Sequence, residues 1–184
     1  GEVVAHPPHH QELARRPGID LHILHTEQLT EQVPPFHLGP LLSGLSHQPF
    51  AKDHANVDRW LLEQVASRQP DVVVICGWIF WPYTRLISAG TLEAAAKVLG
   101  MDSPWRGTAA QRLARFRLRR IVRHTDLVIT AGERSATYAQ RMGVPERFIR
   151  GGYYGFDYDR FSAAADRRPS AAGQWPRQFR SEEH

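Results

Sequence analysis

Residues 124–161, HTDLVITAGERSATYAQRMGVPERFIRGGYYGFDYDRF, carry the pattern that decides the fold of this chain. The apolar run at 127–129 predicts a short strand, and apolar residues recurring at helical spacing after Gly132 predict a helix that ends at Gly143. A second short strand is predicted at 148–149, and the glycines after it permit backbone angles closed to other residues. The stretch is therefore expected to form a strand, a helix, a second strand and a turn.

The same alternation continues toward the N-terminus. The predicted elements, in chain order, are a helix over 8–16, a strand over 20–25, a long surface loop over 29–53, a helix over 58–65, a strand over 71–77, a helix over 82–96 interrupted at Gly90, a strand over 97–101 and a helix beginning near Thr108. The run at 71–77 is apolar, which is typical of a parallel strand buried on both faces. Strands separated by helices pair in parallel, so the expected fold class is α/β, a Rossmann-like doubly wound parallel sheet.

Composition and the single cysteine indicate the class of protein. With 184 residues, of which 42% are hydrophobic and 23% charged, one globular domain is expected. Cys76 lies in an apolar run and has no partner for an internal disulfide, which favours a buried thiol in a reducing cytosol. The longest apolar stretch, Val72 to Trp81, is about half of what a membrane-spanning helix needs, and no apolar leader opens the chain. These features predict a cytoplasmic protein.

Arginines are concentrated in one predicted helix. Seven lie between Arg106 and Arg123, and no acidic residue occurs between Asp102 and Asp126. Apolar residues at 114, 118, 121 and 122 share one face, which leaves the arginines at 112, 115, 119 and 123 on or beside the solvated side. Two interpretations stay open: a solvated surface helix, or a helix that contacts an anionic membrane or an acidic acceptor through 112–123. Nucleic acid is not expected as a partner, because no recognised binding module accompanies the arginines.

Three loops are candidates for a binding site. Ligands of open parallel sheets bind beyond the carboxyl ends of the strands. This rule selects Gly77-Trp78, Asp102 to Gly107, and Gly132 to Arg134.

The middle loop has the side chains that best suit a sugar. It offers a carboxylate, a hydroxyl, an indole and a guanidinium on Asp102, Ser103, Trp105 and Arg106. Sugar hydroxyls hydrogen-bond to such charged groups, while the apolar face of the ring packs on indole. The functional interpretation is an acceptor pocket in which Asp102 orients or deprotonates an attacking hydroxyl. The structural alternative is a turn and helix entry with Thr108 as the N-cap.

The loop at Gly132 also has two interpretations. Backbone amides at the start of the predicted helix favour an anion, and Arg134 adds positive charge, so a phosphate or carboxylate suits this position. Glu133 alternatively serves only to complement the helix dipole.

No metal or dinucleotide site is predicted. His6, His9 and His10 are grouped, but they lack the partners at fixed spacing that zinc motifs show. The chain also has no GxGxxG and no GxxxxGK[ST] sequence.

Several segments resemble a known family in the right order. Residues 126–134, 142–149 and 154–161 resemble the end of the N-terminal domain of the family-four (group 1) retaining glycosyltransferases with the GT-B fold, and 13–28 and 97–120 are also similar. The resemblance covers most of 7–161. It implies half of a GT-B architecture, with the acceptor-side domain over 1–161 and a linker with the start of a second domain over 162–184.

The resemblance also implies an activity. Such enzymes move a hexosyl group from a nucleotide sugar to a sugar or lipid-linked hydroxyl acceptor. The nucleotide sugar is a substrate and not a cofactor. No metal and no cofactor are expected. Most of the donor is held by a second domain with two glutamates separated by seven residues, and no glutamates here are so spaced. We therefore expect this chain alone to be inactive. The first strand of the family's N-terminal domain is represented at best by Val3 to Ala5.

Two locations and a second function are compatible with these expectations. The protein is expected in the cytoplasm, either free or in peripheral contact with the inner face of the membrane. The alternative is a non-catalytic Rossmann-like module that docks through its arginine-rich helix on an anionic membrane or a protein. The absent glycine fingerprint disfavours another sugar-nucleotide enzyme such as an epimerase.

Overall fold

The computed structural model describes residues 9–26, 42–53 and 55–153, apart from the side chains of residues 9, 117 and 120. All of them lie in one compact unit, Pro7–Tyr154. The elements in chain order are α1 (His9–Ala14), β1 (His22–Thr26), β2 (Ser46–Phe50), α2 (Val57–Ala66), β3 (Val72–Cys76), α3 (Trp81–Ile87), β4 (Ala96–Met101), α4 (Ala109–Val122), β5 (Leu127–Thr130), α5 (Glu133–Met142) and β6 (Ile149–Gly151). The predicted domain boundary at 161 lies outside the described residues.

All described strands pair in parallel, as the alternating sequence predicted. One sheet has the order β3-β4-β5-β6, and β1 and β2 form a separate pair. The fold class is α/β with helices between parallel strands, which is consistent with a Rossmann-like fold. Because β3, β4, β5 and β6 pair in parallel, their carboxyl ends lie side by side at one edge of the sheet.

The core lies between the four-stranded sheet and its helices. Ile75, Leu99 and Val128 are opposite one another in the strand register and form a buried row across one face. The row packs against buried residues of the helices: Leu86 and Ile87 of α3, Leu118 and Ile121 of α4, and Tyr138 and Ala139 of α5. Burying a large aliphatic side chain contributes about 1.5–3 kcal/mol, so this layer holds α3, α4 and α5 on the sheet.

The helices that flank the candidate site begin and end as the sequence predicts. Thr108 caps α4, because its hydroxyl accepts a hydrogen bond of 3.2 Å from the Gln111 N–H. Gly143 ends α5 in the left-handed region, with φ of 98°, where glycine has no Cβ penalty. The predicted division of α4 is also confirmed: Leu118 and Ile121 are buried, and the arginines at 112, 115, 119 and 123 are exposed.

Strand β3 differs from the prediction. Val73 and Ile75 are buried, but Val72 and Val74 are 53% and 58% exposed, and the Cys76 thiol is exposed as well. The predictions of burial on both faces and of a buried thiol are therefore wrong. The reason is that α3, α4 and α5 pack on the face carrying Ile75, and Cys76 lies on the other face by strand alternation. The second helical layer of the predicted doubly wound sheet stays a prediction.

The predicted surface loop over 29–53 contains a strand. Ser46–Phe50 forms β2 and pairs in register with β1, from His22 opposite Ser46 to Thr26 opposite Phe50. Phe50 is buried, and its ring lies 5.8 Å from that of Trp60 and 6.2 Å from that of Phe80. Residues 29–41 lie outside the described ranges.

The predicted helix over 82–96 is shorter in the structure. α3 ends at Ile87, a single 3-10 turn covers Gly90–Leu92, and β4 begins at Ala96. The Ser88 hydroxyl donates a 2.8 Å hydrogen bond to the Thr84 carbonyl at the end of α3. Serine side chains that bind the preceding turn in this way are unfavourable inside helices, which fits an end at this position. None of the helices in the described part of the chain has the length and apolar character needed to cross a membrane.

Candidate functional site at the carboxyl edge of the sheet

The three loops selected from the sequence emerge next to one another. Met101 of β4 is opposite Thr130 of β5, and Cys76 of β3 is opposite Gly100 of β4. The chain leaves β3 through Gly77, which has φ of 93°. This left-handed backbone conformation favours glycine, because glycine has no Cβ to clash with the backbone. Gly77-Trp78, Asp102 to Gly107 and Gly132 to Arg134 therefore begin at one edge.

Hydrogen bonds fix the loop after β4 to the first turn of α5. The Trp105 N–H donates to the Arg134 carbonyl at 3.1 Å, and the Ser135 hydroxyl donates to the Asp102 carbonyl at 3.0 Å. Ser135 is buried, so its hydroxyl has a partner as burial requires. The backbones of Asp102 and Trp105 are thus held by α5, while the Asp102 side chain is exposed.

An aromatic cluster joins the first two loops below the edge. The ring of Tyr138 in α5 lies 5.6 Å from Trp78 in an edge-to-face arrangement and 5.3 Å from Trp105. Tyr138 is 3% exposed, and burial raises the pKa of its phenol, which stays neutral near pH 7. Both indoles are half-buried against the core, so part of each ring is already used in packing.

Asp102 and Ser103 present polar groups at the edge. The Ser103 hydroxyl lies 3.5 Å from Asp102 Oδ1, and the carboxylate is exposed. A carboxylate accepts hydrogen bonds only, and a sugar hydroxyl has a hydrogen to donate. The pair can therefore bind a hydroxyl on a loop whose backbone is fixed by α5.

Gln111 supports this loop from α4, a role that we did not predict. Its Oε1 accepts a 2.7 Å hydrogen bond from the Arg106 N–H, and its Nε2 donates to the Pro104 carbonyl at 2.9 Å. The signal was present in the sequence, since Thr108 followed by Gln111 has the spacing of a capping box. Here the glutamine side chain reaches further back than a capping box requires, and it shapes the turn before Gly107, which has φ of 69°.

Glu133 and Arg134 are exposed in the first turn of α5. Glu133 is placed to interact favourably with the helix dipole, the structural role considered above. Gly132 has φ of 170°, an extended conformation that any residue adopts, so glycine is not required there by backbone strain. Anion binding at this turn stays a prediction.

Tyr153 also lies at the sheet, and sequence reasoning did not identify it as a site residue. Its N–H donates to the Thr130 carbonyl at 3.2 Å, and its ring occupies the space where a Cβ at Gly100 would lie. Gly100 therefore allows an aromatic ring to approach β4 closely. No sequence signal marks this contact, because the ring and the glycine are 53 positions apart and neither has a local reason to pair.

Histidines do not assemble into a metal site in the described part of the chain, where no group of three His, Cys, Asp or Glu side chains is suitably placed. His25 Nε2 and His47 Nδ1 lie 3.2 Å apart across β1 and β2. His6, from the predicted N-terminal group, lies outside the described residues. No family model matches the sequence, and no curated protein matches it.

Proposed function

We propose that this chain is the acceptor-side half of a retaining, nucleotide-sugar-dependent glycosyltransferase, and that its acceptor binds at the carboxyl edge of the four-stranded sheet. The observation that carries the proposal is that the three loops begin at one edge of the sheet. The loop after β4 is held to α5 by hydrogen bonds, and it carries both the exposed Asp102 carboxylate and the half-buried indole of Trp105. The resemblance of 126–134 and 142–149 to the family supports the same assignment.

Each side chain has a stated role in this proposal. Asp102 accepts a hydrogen bond from the attacking hydroxyl and orients it, or removes its proton as the new glycosidic bond forms. Trp105 and Trp78 offer apolar ring faces to the sugar. The exposed guanidinium groups of Arg106 and Arg134 donate to hydroxyl or phosphate oxygens.

The nucleotide sugar is assigned to a second domain, which 162–184 would begin. The acceptor hydroxyl attacks the anomeric carbon, the bond from that carbon to the nucleotide diphosphate breaks, and the acceptor's proton leaves with a base or the leaving group. Positioning of both substrates is a large part of the rate of such a step. An acceptor half without its donor half is therefore expected to catalyse no transfer.

The test of the proposal is Asp102→Asn in the chain extended by a donor-binding domain. We expect kcat/KM for transfer to fall by about 10²–10⁴-fold, the usual contribution of a positioned acid or base. The thermal midpoint should change little, because asparagine keeps the size of the side chain and the Asp102 carbonyl still accepts the Ser135 hydrogen bond. Steady-state transfer kinetics and thermal unfolding measure the two effects.

Asp53→Asn is the matched control, since Asp53 is an exposed aspartate that belongs to none of the three loops. Activity of this variant should equal that of the parent. A parallel loss of activity and stability in Asp102→Asn would make Asp102 a turn residue and contradict the proposal.

A non-catalytic binding module is the second candidate function. It is favoured by one observation, the exposed arginines of α4. The two functions differ in their response to Asp102→Asn, because docking through α4 does not involve the edge of the sheet.

A further inference from the structure

A groove runs between α4 and α5, and we call it the arginine groove. Its volume is about 380 Å³, and it is lined by four arginines and by apolar groups that include Phe116 and Val122. The arginines are Arg115, Arg119, Arg123 and Arg141. No lining residue is acidic, so the groove combines positive charge with apolar surface.

No carboxylate in the described part of the chain forms an ion pair with a groove arginine. In residues 9–26, 42–53 and 55–153, ion pairs join Arg59 to Glu63 and Arg85 to Asp58, and none includes a groove arginine. Arg115 lies instead over the Phe116 ring, and Arg141 lies over the Trp105 ring at 5.8 Å. Guanidinium groups stacked on rings keep their N–H donors available to an anion.

The outer surface of α4 also carries two large apolar side chains. Leu113 is 70% exposed and Phe116 is 63% exposed, while Leu118 and Ile121 of the same helix are buried in the core. Leu113 and Phe116 are three residues apart and are therefore neighbours on the helix surface. α4 thus has a buried apolar face and, on its outer side, an apolar pair beside arginines.

We infer that α4 and the arginine groove dock this chain on an anionic lipid bilayer. Leu113 and Phe116 enter the boundary between headgroups and acyl chains, and the groove arginines bind lipid phosphates. An interfacial helix needs this combination of an outward apolar pair and flanking cations. Each arginine near an anionic bilayer raises the partition coefficient by about fivefold. This inference does not rest on the proposed function.

A bilayer fits the surface better than an acidic polymer does. Nucleic acid or an acidic polypeptide would neutralise the arginines but would leave Leu113 and Phe116 in water. A bilayer satisfies both, because phosphates and acyl chains lie within a few ångströms of each other in depth. The absence of any acidic residue between Asp102 and Asp126 also removes the repulsion that a carboxylate would feel at that surface.

Vesicle flotation with the full chain tests the inference. The chain should float with phosphatidylcholine vesicles that contain phosphatidylglycerol, and it should stay in the dense fraction with phosphatidylcholine alone. Arg119→Gln with Arg123→Gln should lower the partition coefficient by about 25-fold, since two arginines are removed. Phe116→Ser should abolish the binding that persists at high salt, because it removes the apolar anchor while the cations remain.

Arg15→Gln with Arg16→Gln is the matched control, since it removes the same charge from exposed positions after α1. This variant should keep nearly the partition coefficient of the parent. Equal losses in both double variants, or equal flotation with and without phosphatidylglycerol, would overturn the inference. Retention of the chain on polyglutamate or DNA without flotation on anionic vesicles would also overturn it, and would indicate an acidic polymer as the partner. The circular dichroism of each variant shows whether it is folded, and all five substituted side chains are exposed, so folding should be retained.

Discussion

At the scale of single residues, Gly100 makes the sharpest structural prediction. A Cβ at this position would overlap the Tyr153 ring, and no left-handed backbone angle is involved, so the cost is steric. We expect Gly100→Ala to lower the free energy of unfolding by about 1–3 kcal/mol, the usual penalty for inserting a carbon into packed space. Denaturant unfolding measures this difference.

Gly151→Ala is the control for Gly100→Ala, because Gly151 is also a strand glycine and nothing lies within 4 Å of its Cβ position. Its effect should be small. Adding Tyr153→Leu to Gly100→Ala should recover part of the lost stability, since contacting residues are non-additive. Equal effects of the two glycine substitutions would show that the ring does not pack on β4.

The candidate site was predictable where one residue carries a local signal, and not where it acts through a distant partner. Asp102, Trp105 and Arg134 were selected because they follow strands, and strand ends can be read from apolar runs. Tyr138 fits the apolar spacing that predicts α5, but its contact with two indoles depends on how α5 packs. The backbone role of Asp102 toward Ser135 likewise depends on tertiary structure.

At the scale of elements, β2 is a strand that the pattern of apolar residues does not predict. The strand reads Ser-His-Gln-Pro-Phe, with no β-branched residue and a proline that cannot donate to the ladder. It is a strand because β1 pairs with it, which is a property of two segments that are more than 20 residues apart. In contrast, α5 was predictable because its apolar spacing and its terminal glycine are local.

The β1–β2 pair should respond to acid through His22. Its Nδ1 lies 2.8 Å from the Ser46 hydroxyl, and its Nε2 is buried without a partner among the described residues. Burial and, next, the charge of Arg68 lower the pKa of His22, whereas Asp20 acts in the opposite direction. The folded state therefore favours the neutral ring. Its stabilising effect is present above the unfolded pKa of about 6.5 and is lost as the pH falls through the lower folded pKa.

We expect the parent chain to lose more unfolding free energy than His22→Gln when the pH is lowered from about 8 to about 5, since glutamine has no charge to gain in this range. Urea unfolding at both pH values measures the two losses. The same loss in parent and variant would mean that other groups govern the acid sensitivity.

At the scale of the whole molecule, chain order predicted the parallel sheet because helices between strands leave few alternatives. The burial of each sheet face was not predictable in this way. Val72, Val74 and Cys76 have the composition of a strand covered on both sides, yet all three are exposed, and only the face of β3 that carries Val73 and Ile75 packs in the core. An apolar run shows that both faces of a strand can be buried, but the elements that pack on each face determine which side chains are buried.

The isolated chain should neither transfer sugar nor bind a nucleotide sugar tightly. This follows from the proposed division of labour, in which the sheet edge near Asp102 holds the acceptor and another domain holds most of the donor. Radiolabelled transfer assays and calorimetry with a panel of nucleotide sugars measure the two properties, and addition of a separately expressed donor-binding domain is the positive control. Nucleotide binding in the micromolar range or tighter, equivalent to at least about 8 kcal/mol, would require a complete donor site within these residues. That result would contradict the assignment as an acceptor half, because the affinity would then come from a fold that lacks both glycine-rich phosphate loops.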